Sequence, residues 1–96
     1  MTSQTLKVLS AIIGAGGQEL SGAEISREAR LASGTLYPML MRLEQCGWLE
    51  SRWETEDPQA LGRPRRRYYR MTGVGATRAR AAARELAPVV GRLAWA

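Results

Sequence analysis

The 96-residue chain contains no histidine and a single cysteine, Cys46. An internal disulfide is therefore excluded, and none of the Cys/His spacings that hold structural zinc is present, so neither a metal nor a cofactor is expected. With no histidine, one thiol and no clustered carboxylates, the chain has no acid–base pair or activated nucleophile, and an enzyme is not expected. Also missing are an apolar run of membrane-spanning length, a signal-peptide pattern and a lipidation motif; a cytoplasmic protein with no membrane partner is the expectation. Lysine is nearly absent, thirteen of the fourteen cations being arginine. The length suits one domain with a modest core.

What is present is unevenly distributed. Residues 1–62 carry five basic and eight acidic side chains (net −3), whereas residues 63–96 carry nine arginines and one glutamate (net +8). A basic patch confined to one end of the chain attracts a polyanion. Nucleic acid fits better than a membrane surface, because no strongly apolar helix face accompanies the charge.

The organising stretch is SGTLYPMLMRLEQCGWLE, residues 33–50. At 100° per residue Leu36, Met39, Leu40, Leu43 and Cys46 fall on one side of a helix and Gly34, Thr35, Pro38, Met41, Arg42 and Gln45 on the other. An outer face of small residues, an amide and one arginine can approach a partner closely. Ser33 is the expected N-cap and Gly47 the left-handed stop. Pro38 implies either a loose first turn or a regular helix that starts near Tyr37, the helix-start reading being preferred.

Upstream, Leu6, Leu9, Ile12 and Ile13, widened by Val8, predict a first helix from Thr5 to about Ile13, ended by Gly14, Gly16 and Gly17. Gln18 to Leu20 suggests a brief strand. Ser21 to Glu24 forms an S-x-x-E capping box, with Leu20 and Ile25 placed as a hydrophobic staple, so a short second helix is expected with Ile25 and Ala29 inward, ending near Leu31 and Ala32. Two short helices joined by a tight turn match a helix-turn-helix.

After Gly47 the period changes to 2. Leu49, Ser51 and Trp53 alternate with Trp48, Glu50, Arg52 and Glu54, and a second strand is expected over Arg66 to Met71 beyond the turn-rich TEDPQALGRP, with Thr72 capping a further helix. These two strands make a hairpin whose basic tip can reach a phosphate or the minor groove. Beyond it, Gly75, Ala79, Ala82, Leu86, Val89 and Leu93 are spaced 4, 3, 4, 3 and 4, a short coiled-coil-like seam crossed by Pro88. The expected fold class is mainly α (α+β): a winged helix-turn-helix over residues 1–72 with a two-stranded wing, then a C-terminal dimerisation helix over residues 73–96.

The runs SGTLYPMLMRLEQCGWLESRW and GRPRRRYYRMTGVG closely resemble the PadR-like family of winged-helix transcription regulators, which show a GTLYP-L-RLE-G block and a G-P-R-YY-LT-G block. Gly34, Thr35, Leu36, Tyr37, Pro38, Leu40, Arg42, Leu43, Glu44 and Gly47 match the first block. Gly62, Pro64, Arg65, Arg67, Tyr68, Tyr69, Thr72 and Gly75 match the second, with Met71 standing where Leu is usual. SGAEI replaces the H-G-Y-E-L wording of the N-terminal segment. The resemblance implies a homodimeric DNA-binding regulator, usually a repressor, with its third helix in the major groove, its wing along the backbone and its C-terminal helix in the dimer interface.

On that footing the function expected is sequence-specific binding of double-stranded DNA at an inverted repeat, through the recognition helix 33–46 and an arginine-rich wing on phosphates. The alternative is a winged-helix protein-interaction module. Candidate DNA contacts are Ser33, Gly34, Thr35, Tyr37, Arg42 and Gln45 on the helix, and Arg63, Arg65 and one of Arg66 or Arg67 in the wing. Thr35 can meet a thymine methyl or a phosphate, Tyr37 can donate to a phosphate, Arg42 can fork onto guanine and Gln45 can pair with adenine. Glu44 would repel phosphate and reads as a partner for a nearby arginine. One of Tyr68 and Tyr69 is expected to be buried. Leu86, Val89, Val90 and Leu93 are the expected dimer contacts, and Trp95 is the candidate contact for a small-molecule effector.

Overall fold

The computed structural model describes residues 3–82. The seam residues Leu86, Val89, Val90 and Leu93, together with Pro88 and Trp95, lie outside the described residues. Helix α1 spans Ser3–Gly14, strand β1 Leu20–Ser21, helix α2 Gly22–Ala29, helix α3 Ser33–Gln45, strand β2 Leu49–Trp53, helix α4 Pro58–Leu61 and strand β3 Arg67–Met71. A further helix, α5, covers residues 73–82.

Helix α1 buries Val8, Leu9 and Ile12, whereas Ile13 stays 43% exposed, so the apolar stripe is used on one side only. Gly16 and Gly17 adopt positive φ (64° and 89°) and turn the chain toward β1, which begins at Leu20, where the strand suggested by the sequence ends. The capping box forms as expected: the Ser21 Oγ accepts from the Glu24 N–H at 3.2 Å and Glu24 Oε1 accepts from the Ser21 N–H at 3.1 Å. These bonds, the backbone N–H foremost, hold the Glu24 carboxyl below its ordinary range.

Helix α2 ends earlier than expected. Arg30 takes the left-handed conformation (φ 56°, ψ 47°), its N–H and that of Leu31 returning to the Ser26 carbonyl. Residues 30–32 therefore form the turn, and Ala32, not Ser33, is the N-cap of α3. The Ala32 carbonyl accepts from Thr35 and Leu36, no side chain caps the helix, and Ser33 becomes its first residue. Pro38 sits inside this helix rather than at its start. The bond it cannot make would have gone to the Gly34 carbonyl, and Gly34 is solvent-exposed, so water can take the missing donor's place.

Leu36, Met39, Leu40 and Leu43 are buried at the predicted phase and form one core with Val8, Leu9, Ile12, Ile25, Ala29, Leu49, Tyr69 and Ala79. Each fully buried aliphatic side chain contributes about 1.5–3 kcal/mol of transfer free energy. Cys46 departs from its predicted inward placement and is exposed. Regular helix has ended at Gln45, so the 100° step no longer applies. The Gly47 N–H bonds the Glu44 carbonyl and the Trp48 N–H the Leu43 carbonyl, with Gly47 at φ 79°, the pairing that closes a helix on a left-handed glycine.

The sheet is antiparallel with three strands in the order β1-β3-β2, one more than the expected hairpin. Leu49 faces Met71, Ser51 faces Tyr69 and Trp53 faces Arg67, while Leu20 and Ser21 of β1 pair with Tyr69 and Tyr68. Tyr69 is the buried member of the tyrosine pair, 5% exposed, and burial raises its pKa. The loop between β2 and β3 contains α4, which the turn-rich composition of that stretch conceals. Asp57 caps it by accepting from the Gln59 N–H, Pro58 opens it and Gly62 closes it at φ 69°.

Helix α5 packs on this frame. The Thr72 Oγ1 accepts from the Gly75 N–H at 3.0 Å, the Thr72 N–H donates to the Trp48 carbonyl, and Ala79 enters the core.

Candidate nucleic-acid interface

The outer face of α3 is open along its length: Ser33, Gly34, Thr35, Tyr37, Pro38, Met41 and Arg42 are exposed, and Gln45 lies at its far end. Arg42 makes no salt bridge or side-chain hydrogen bond with any described residue. Tyr37 leans back toward α2, so that a Cβ at Gly22 would lie 2.5 Å from the Tyr37 hydroxyl oxygen. Gly22 thus makes room for the ring, and the tyrosine spans the two helices of the helix-turn-helix. Sequence reasoning had no reason to single out Gly22; the glycine inside the capping box was its only trace.

Glu44 turns away from this face, as its expected role requires. It accepts from Arg67 Nη2 at 3.1 Å and from the Ser51 hydroxyl. Arg67 also donates from Nε to Ser51 Oγ at 2.9 Å, and its guanidinium lies 5.4 Å from the Trp53 ring centroid and 5.9 Å from that of Tyr69. Arg67 therefore struts the wing against α3.

At the wing tip, Glu54 gathers the loop. The alternation puts it on the same side as Glu50 and Arg52, both exposed, yet it is 8% exposed because the loop folds over it. Its carboxylate accepts from Arg63 at 2.6 and 3.1 Å and from the Arg66 N–H at 2.7 Å. The Arg63 guanidinium, more than any other group, holds the Glu54 carboxyl down at about 2. Arg65 reaches across the tip to the Glu56 carbonyl from Nε at 2.9 Å, and Arg66 makes no side-chain hydrogen bond with a described residue. Of the four predicted wing arginines, Arg63 and Arg67 have carboxylate partners, whereas Arg65 and Arg66 form no salt bridge among the described residues.

The outer sheet face is different. Arg52 pairs with Glu19 at 2.7 Å and stacks over Tyr68, and Arg70 pairs with Glu50, so this face is locally neutral. Arg65 and Arg66, which form no salt bridge among the described residues, sit on the opposite side, toward α3. Between α3, the start of α2 and the wing runs a groove of about 670 Å³, walled by Tyr37 and Met41 on one side and by Arg65 and Arg66 on the other. Trp53 lines it as well, on the side of β2 that the alternation assigns to Leu49 and Ser51, and remains 56% exposed because the strand has run past the core.

The Glu54 pKa is lowered on folding, so ionised Glu54 stabilises the fold fully above its ordinary value near 4.5, and this contribution is lost as pH falls toward about 2. Glu54→Gln should therefore melt below wild type at neutral pH, with the gap closing between about pH 4.5 and pH 2. Thermal melts across that range check it, and a gap independent of pH would show that the carboxylate charge is not what holds the tip.

A helix-turn-helix followed by a hairpin, with a basic tip beside the outer face of the third element, defines a winged helix-turn-helix. The sequence matches the Transcriptional regulator PadR-like family over residues 16–81, and the chain belongs to that family. The family is one of transcriptional regulators, not enzymes. Among solved structures, the fold is similar to that of a PadR family transcription regulator from Clostridium difficile R20291 (TM-score 0.76, 22% identity, 98% of this chain and 97% of that one). It is also similar to the transcriptional regulator PA4135 (TM-score 0.79, 18% identity, 97% of this chain and 62% of that one). A third similar structure is a mutant of MarR from E. coli in complex with operator DNA (TM-score 0.70, 23% identity, 90% of this chain and 56% of that one). The chain thus spans nearly all of the first but under two thirds of the other two. No curated protein matches the sequence. No helix among the described residues is long and apolar enough to cross a membrane.

Proposed function

We propose that the chain is a sequence-specific regulator that binds double-stranded DNA, acting as a repressor and as a homodimer on an inverted repeat. Residues 33–46 enter the major groove and the wing follows the phosphates. Residues 1–72 form the DNA-binding unit and residues 73–96 the dimerisation element, with Trp95 the candidate effector contact. The observation that carries this reading is the groove itself: the open face of α3 and the two wing arginines that form no salt bridge among the described residues flank the same channel. The similar fold of MarR, seen with operator DNA, supports it. Ser33, Gly34 and Thr35 supply close backbone approach and small polar contacts, Arg42 and Gln45 base contacts, and Arg65 and Arg66 phosphate contacts. Arg63 and Arg67 serve chiefly to hold the wing in place.

Titration against cognate and scrambled duplexes at several salt concentrations tests the proposal. Arg65→Ala should weaken both duplexes about equally and lower the slope of log K against log salt by about 0.9 per subunit, one phosphate's worth. An unchanged slope would remove Arg65 from the phosphate contacts, and absence of any duplex binding by wild type would favour the protein-interaction module.

Sedimentation tests assembly. Wild type should run as a dimer at roughly tens of micromolar, and Leu86→Asp should halve the mass by placing a charge in the apolar seam. A monomeric wild type at that concentration would overturn the dimer.

A further inference from the structure

We propose that Met41 reads the C5-methyl group of a thymine, and so specifies a second base beside the guanine assigned to Arg42. The inference rests on the DNA-binding function proposed above and deepens it. Met41 is 59% exposed, the most open of the large apolar side chains among the described residues. Its place on the helix is not incidental. Gly34, Pro38, Met41 and Gln45 follow one another at spacings of 4, 3 and 4, so they form one ridge along the outer face of α3, and all four are exposed. That ridge carries no charge. Thr35 and Arg42 lie to one side of it and Tyr37 and Glu44 to the other, with the Glu44 carboxylate drawn off to Arg67 and Ser51. The centre line of the face is therefore apolar, made of the Pro38 ring and the Met41 thioether.

The chemistry of the ridge selects its counterpart. A thioether has no proton to donate and no positive charge, so it offers a phosphate oxygen nothing. Against the polar edge of a base it would displace water without returning a hydrogen bond. The apolar group that base pairs display in the major groove is the thymine methyl. Met41 can reach it because Gly34 has no side chain and Pro38 is compact, which lets the α3 backbone approach closely. An unbranched methionine then bends to fill the remaining gap. Consecutive Cα atoms are about 3.8 Å apart and stacked base pairs about 3.4 Å, so the thymine should lie within about two base pairs of the guanine.

The probe is the duplex that the wild-type protein enriches most strongly from a random-sequence library, with each thymine of one half-site replaced in turn by deoxyuridine. That exchange deletes the methyl and leaves base pairing intact. At one position it should weaken wild type about fourfold, the worth of one buried methyl group at about 0.8 kcal/mol. Met41→Ala, a change at an exposed position, should weaken the parent duplex and show no further loss at that thymine. Met41→Leu should restore the sensitivity, and Arg42→Ala should keep the full fourfold loss, since it acts on a different base. Wild-type indifference to every replacement, or a fourfold loss retained in Met41→Ala, would overturn the assignment and leave the DNA function standing. A wild type that enriches no duplex would overturn the DNA function and the assignment with it.

Discussion

Replacing Gly75 by alanine should cost the protein about 3 kcal/mol of stability, a loss of roughly 15 °C in melting temperature for a domain of this size. A Cβ at that position would lie 2.1 Å from the Trp48 carbonyl oxygen and 2.7 Å from its carbon and Cα, all backbone atoms. Trp48 cannot retreat easily. Its carbonyl accepts from the Thr72 N–H at 3.0 Å and the Thr72 hydroxyl at 3.2 Å, and its own N–H closes α3 on the Leu43 carbonyl. The strain would therefore pass into the end of α3 and the start of β2. Gly73→Ala is the control: it meets nothing within 4 Å and should melt close to wild type. Denaturant melts of both variants check the prediction, and a Gly75→Ala protein with wild-type stability would contradict the close approach of α5 to Trp48.

Arg42→Ala should cost about 1–3 kcal/mol of binding on a cognate duplex, with discrimination relaxed at one base pair in each half-site and folding untouched. Arg42 projects from the exposed face of α3 two turns beyond Thr35, and no described carboxylate holds it. A bidentate arginine–guanine contact is lost outright on truncation. The same substitution should change binding to scrambled DNA far less. Equal losses on cognate and scrambled duplexes would move Arg42 from base reading to phosphate contact.

Much of this architecture was legible because it rests on local rules. The capping box at Ser21, the inward phase of Leu36, Leu40 and Leu43, the glycine stop at Gly47 and the Thr72 cap each depend on residues within a few positions of one another. The pairing of Glu44 with an arginine was also legible, since a carboxylate on the flank of α3 next to an arginine-rich wing finds a cation there. What escaped was set by contacts distant in sequence or by a backbone state that residue type disguises. Arginine is an unusual left-handed residue, so nothing at Arg30 announced the early end of α2 or moved the cap from Ser33 to Ala32. Glu54 reads as solvent-facing until Arg63 and Arg66 fold over it. Cys46 defeated periodicity at the point where the regular helix ran out.

The hydrogen-bonded wing tip bears on kinetics. Residues 54–66 are held by the Glu54 carboxylate, by α4 with its own caps, and by Arg65 reaching back to the Glu56 carbonyl. Fixing a flexible backbone costs about 1–2 kcal/mol per residue, and here that cost falls at folding rather than at encounter. The wing therefore meets its partner already shaped. On the proposed DNA-binding function, association is a matter of orientation and charge rather than of a loop searching for its bound form, so the forward rate constant should follow ionic strength closely while α3 contacts set the lifetime of the complex.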